Sequence, residues 1–174
     1  RVIIPLAGAR PGLVQLTVTG RFDPTPADDG SPSELDASAE PATPIVRWSG
    51  RPVAPDALTA LPEVLAVAQR LLAPSPPSPS ASRARNASPA TARQRTYLPS
   101  EIEIQIADLP GRPLDRRVRR VEGRSWEAGV LLALLAIGYG RALPPLIVTG
   151  QVEATEGGRI TPVGGIEEKV SAIQ

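Results

Sequence analysis

Neither cysteine nor histidine occurs in this chain. Without cysteine there is no disulfide framework and no thiolate nucleophile, and the composition permits the cytoplasm, which is the expected location. Without histidine the usual zinc ligand sets are missing, so no metal site is expected. Together the two absences exclude Ser-His-Asp and Cys-His catalysis. Aromatic residues are only 3% of the chain against 41% hydrophobic residues, so a core must be built from Ala, Val, Leu and Ile. Lysine is almost absent as well: of 19 basic residues Lys169 is the single lysine, and the others are arginine. No long apolar run is present. The most apolar stretch, Ala128 to Ile137, ends at Gly138-Tyr139-Gly140-Arg141, far short of the roughly 20 residues that span a membrane, so neither a membrane segment nor a targeting segment is expected. A formal net charge of +1 disfavours nucleic acid and anionic lipid as main partners.

A chain of 174 residues fits one domain with a real core and leaves no room for an ATPase module beside it. Position 1 is not Met, and Ser171-Ala172-Ile173-Gln174 falls inside a helical pattern. The expectation is that residues 1–174 are a piece of a longer protein, truncated within the C-terminal part of the domain.

Val2-Ile3-Ile4 and the alternating run Leu13 to Thr19 read as strands joined through Gly8-Ala9-Arg10-Pro11-Gly12. Residues 23–44, rich in Asp, Pro, Ser and Ala, read as a flexible insertion, after which Ile45-Val46-Arg47-Trp48 returns to the sheet. From Asp56 to Leu71 the apolar spacing is helical, with Asp56 or Thr59 as N-cap. Pro62 favours the later start, because proline is tolerated only in a first turn. Residues 74–97 are low in complexity around Pro74-Ser75-Pro76-Pro77 and read as a second flexible loop. Glu101 to Ile106 alternates polar with apolar and predicts a half-buried strand. A loop rich in arginine follows (Arg112, Arg116, Arg117, Arg119, Arg120, Arg124), by default a solvated face. Ser125 then opens a helix to about Gly138, apolar nearly all round and hence buried. Leu146 to Ala154 predicts a strand, turned at Glu156-Gly157-Gly158 into Arg159 to Val163, and Gly164-Gly165 leads into a last helix that carries Lys169.

Three boxes in this half form a pattern: Glu122-Gly123-Arg124-Ser125, then Thr149-Gly150-Gln151, then Gly158-Arg159-Ile160-Thr161-Pro162-Val163-Gly164-Gly165-Ile166-Glu167-Glu168-Lys169. The pattern resembles the proteolytic domain of the Lon peptidases, in which an acidic-Gly-x-Ser box, a Thr-Gly-Glu strand and a Pro-(Ile/Val)-Gly-Gly-x-x-x-Lys box follow one another. The resemblance covers residues 122–174 and fades before them. Glu122 stands where the family has Asp, Arg124 where it has Pro, the bulky pair Trp126-Glu127 where it has small residues, and Gln151 where it has Glu.

The resemblance implies an α/β (α+β) domain of the Lon proteolytic fold, with a mixed sheet packed against helices, related to the ribosomal protein S5 domain 2-like architecture. It implies a serine endopeptidase with Ser125 as nucleophile and Lys169 as base, supported by Thr149 and Glu122. Arg124 and Trp126 are candidates for the oxyanion or substrate site. No cofactor is expected in this domain, ATP entering only through a separate ATPase module. The expected partners are a polypeptide substrate and, further, a partner domain or a second copy of the chain. The residues themselves suit this chemistry: with histidine absent, the available base for a serine is an amine, which works only when neutral, and arginine cannot substitute because its guanidinium stays protonated. Plainer readings stand beside these. By position Ser125 is an N-cap, Lys169 a solvated cation and Thr149 a strand residue, and the whole domain could be a non-catalytic binding or assembly module on the same fold.

Overall fold

The computed structural model describes residues 1–6, 12–23, 43–73, 97–111, 120–155 and 158–174. Most of the two segments read as flexible insertions, the 7–11 turn and four of the arginines (Arg112, Arg116, Arg117, Arg119) lie outside them. In chain order the elements are β1 (Val2–Leu6), β2 (Gly12–Arg21), β3 (Ile45–Gly50), α1 (Pro55–Leu58), α2 (Leu61–Leu72), β4 (Glu101–Asp108), α3 (Glu127–Gly138), β5 (Gln151–Glu153), β6 (Arg159–Thr161) and α4 (Ile166–Ile173). The class is mixed α/β. Four strands form a sheet in the order β1-β2-β4-β3, and β5 with β6 forms a separate hairpin. β1 and β4 are antiparallel to β2, whereas β3 runs parallel to β4.

Alternation sets the buried face of the sheet. Ile102, Ile104 and Ile106 of β4 are buried while Glu103 and Gln105 between them are exposed. In register with them, Leu16 lies opposite Ile106 and Val2 opposite Leu16, so one continuous apolar surface receives α2 and α3. α2 contributes Val64, Val67, Ala68 and Leu72, and α3 contributes Val130, Leu131 and Leu134. Gly129 is required where α3 crosses β1 and β2: a Cβ there would lie 2.6 Å from Ile4 Cδ1 and 3.2 Å from Leu16 Cδ2. The far ends of the two helices are joined by the Tyr139 hydroxyl, which donates to the Leu71 carbonyl at 2.9 Å.

Two expectations need correction. Neither Asp56 nor Thr59 caps the long helix. Pro55 starts the short α1, Pro62 restarts the chain in the first turn of α2, and the residue at the α2 N-cap is Ala60; the Thr59 hydroxyl instead donates back to the Asp56 carbonyl. The expected strand Leu146 to Ala154 is split. Ile3 N–H donates to Leu146 O and Val148 N–H to Ile3 O, both at 2.9 Å, so this segment pairs along the outer edge of β1. The ladder then stops at Thr149-Gly150, and β5 begins a new pairing with β6. No helix among the described residues is long and apolar enough to cross a membrane.

Candidate active site

Ser125 sits in the turn immediately before α3, nearly buried. It does not cap the helix, whose N-cap position is Trp126 without any side-chain capping bond. The turn is strapped to the Thr149-Gly150 segment by two backbone bonds: Gly150 N–H donates to Ser125 O at 3.3 Å, and Ala128 N–H to Gly150 O at 3.2 Å. Only glycine allows this approach, since a Cβ at Gly150 would lie 2.7 Å from Ile160 Cγ2 and 3.1 Å from Ala128 Cβ. Where the pairing with β1 ends, the Gly150 backbone bonds to the Ser125 turn and the start of α3 instead. Thr149 is thereby brought beside the Ser125 turn, and its hydroxyl oxygen is buried without a hydrogen-bond partner among the described residues. Leaving a buried hydroxyl unpaired costs about 1–3 kcal/mol, so this group is poised for a partner rather than spent on the fold.

Lys169 lies in α4, which the chain enters through Gly165 in the left-handed region (φ 68°). The residue is only 5% exposed. Its amine donates to the Gly164 carbonyl at 2.8 Å, and among the described residues no carboxylate comes within ion-pair distance of it. Burial lowers the amine below the ordinary lysine value of 10.5, opposed by the charge of neighbouring Glu168. The solvated-cation reading is thus excluded by position. The direct hydrogen bond expected between Ser125 and Lys169 is not formed; the amine bonds to the Gly164 carbonyl instead.

The lowered value has a consequence for stability. Between it and 10.5 the unfolded chain binds the extra proton, so stability rises with pH across that window; the penalty is complete below the window and absent above it. Lys169→Met is expected to raise unfolding free energy at neutral pH by on the order of 1 kcal/mol and to remove that alkaline rise, as read by denaturant melts at several pH values.

The other candidates fall elsewhere. Glu122 is exposed and paired with Arg120 at 3.0 Å, turned to solvent rather than covering the serine. Trp126, a candidate for the substrate pocket, has no exposed surface at all. Its ring meets Trp48 edge-on, with centroids 5.3 Å apart at 87°, so it is a core residue, with an indole N–H that has no partner among the described residues. Arg124, the other candidate there, is engaged by the protein through Nε and Nη2. It forms a two-pronged ion pair with Glu127, a bond to Glu63 Oε2 at 3.0 Å and another to Val152 O at 3.1 Å.

Glu127 is a residue that reading the sequence missed. It is completely buried and accepts the Val152 N–H at 2.7 Å as well as the arginine. Both polar groups of Val152 are thus met by one ion pair, much as a neighbouring strand would meet them. A carboxylate at the head of an otherwise apolar helix, three positions after an arginine, was the available signal. Among the described residues no group of three or more acidic side chains is arranged to hold a metal ion. A scan against family models and a search of curated proteins return no match.

Proposed function

We propose that this chain is a serine peptidase domain of the Lon type, in which Ser125 is the nucleophile and Lys169 the base. One observation carries the reading: the single lysine of a chain otherwise built with arginine is buried, with no counter-ion among the described residues, where desolvation weakens its hold on the proton. The nearly buried serine, strapped beside a threonine hydroxyl unpaired among the described residues, supports it. In acylation the Lys169 lone pair takes the Ser125 proton as Oγ bonds to the scissile carbonyl carbon and the π electrons move to oxygen. Collapse of this adduct breaks the C–N bond, and the Lys169 ammonium returns the proton to the leaving amine. A water molecule then attacks the acyl ester, giving a proton to Lys169. The ester C–O bond breaks, and Ser125 recovers its proton. To reach the serine, the amine turns away from Gly164 O, in line with the looser contacts of many sites without substrate. Thr149 guides the amine, and the N–H groups of the turn before α3 receive the oxyanion. A soluble domain acting on polypeptides in the cytoplasm, needing no cofactor of its own, follows from this reading.

A fluorophosphonate probe followed by peptide mapping tests it. Ser125 is expected to be the labelled residue, with a rate that rises with pH through a single ionisation below 10.5, because only the free amine accepts the serine proton. Labelling elsewhere, or a rate flat with pH, would show that the lysine is not the base. The non-catalytic binding module draws its support from one observation, the bond of Lys169 to Gly164 in place of Ser125, and an unlabelled Ser125 would favour it.

A further inference from the structure

The residues on either side of Ser125 are joined to each other. Arg124 precedes it, Glu127 begins the helix after it, and the guanidinium spans the intervening turn in a two-pronged contact. From there the pair reaches three separate elements. It holds α2 through Glu63, β5 through both the N–H and the carbonyl of Val152, and α3 through the backbone of Glu127 itself. The Glu127 side chain is wholly buried. Burying a carboxylate with an arginine gains little stability over apolar side chains of similar size, whereas it fixes geometry through directional bonds. Glu127 also raises the affinity of Arg124 for its proton, so the guanidinium stays charged.

We propose that Arg124 and Glu127 are positioning residues: a clamp that fixes the Ser125 turn against β5 and α2 so that the hydroxyl is held for attack. The assignment rests on Ser125 being the nucleophile. Neither residue touches the reacting atoms. The clamp and the Gly150 strap grip the same segment, since Val152 follows Gly150 by two residues.

The test is the double variant Arg124→Met with Glu127→Gln, made in the full chain. Removing both charges leaves no lone ion in the core, and the new amide oxygen still accepts the Val152 N–H. The expected result is a thermal midpoint close to wild type together with fluorophosphonate acylation of Ser125 slowed about a hundredfold, the scale of a misplaced reacting group. The pH midpoint of that acylation should be unchanged, since Lys169 is untouched; a loss caused by general loosening would lower the thermal midpoint too. Arg124→Lys is the second variant, keeping the charge without the fork; it is expected to fold and to acylate at least tenfold more slowly than wild type. Wild-type acylation rates in either folded variant would overturn the clamp while leaving the serine mechanism standing. A wild-type chain that does not acylate at Ser125 would instead overturn the nucleophile itself, and the clamp's role with it.

Discussion

Lys169→Arg is expected to reduce acylation of Ser125 by about 10²–10⁴-fold, the usual contribution of a positioned general base. Arginine keeps the positive charge and most of the stem, yet its guanidinium does not release a proton in a protein. The lysine pocket sharpens the contrast, because the residue there is 5% exposed and has no counter-ion among the described residues. Lys169→Met removes the amine while suiting the apolar surroundings, so it should show the same loss of rate in a more stable protein. The pair of variants therefore separates the proton-accepting role of the side chain from any part it has in folding. Stopped-time labelling with mass detection reads both, and near-wild-type rates in the arginine variant would remove the lysine from the mechanism.

Trp126→Ala is expected to cost about 3–5 kcal/mol, the range for emptying a fully buried large aromatic. For a chain of this size that lowers the thermal midpoint by roughly 10 °C. Two features set the magnitude. The ring is completely buried and meets Trp48 edge-on, a geometry worth about 0.5–1.5 kcal/mol beyond its area. Against this, its N–H lacks a partner among the described residues, so Trp126→Phe, which removes that group and keeps a ring, should cost less than half as much as the alanine change. Calorimetry on the three proteins measures the order. If the phenylalanine variant lost nearly as much stability as the alanine variant, the indole N–H would have to be satisfied in solution.

The sheet and the central helix were legible because their signals are local. Alternation over Glu101 to Ile106 and the apolar run from Ala128 onward each point to one structure whatever lies around them. The break at Gly150 was not legible, since there the backbone leaves β1 and bonds to the Ser125 turn and the start of α3 instead. The α2 start was half legible: Pro62 marked it, while the favoured capping residues just upstream belonged to a separate short helix. At the site, Ser125, Thr149 and Lys169 were marked by the three boxes, and Thr149 was found beside the serine turn, whereas the Lys169 amine was found on Gly164. The surroundings of Arg124 and Trp126 were not legible, for a shared reason. A charged and an aromatic side chain flanking a serine suggest contact with substrate, and only three-dimensional placement shows that Glu127, Glu63 and Val152 occupy the one and Trp48 meets the other. Glu122 followed the family's acidic position in sequence, but Arg120 draws it outward.

The bonds between Ile3 and the Leu146 to Val148 segment also govern how the chain folds. They close a loop spanning most of the sequence, and loop closure of that length must be met before the pairing is rewarded. Topologies dominated by such distant pairings fold more slowly than helical bundles of equal stability. Residues 146–148 lead directly into Thr149 and Gly150, the backbone that straps the Ser125 turn. The two ends of the sequence thus brace the site together, the first strand lying beside the segment that leads into the threonine.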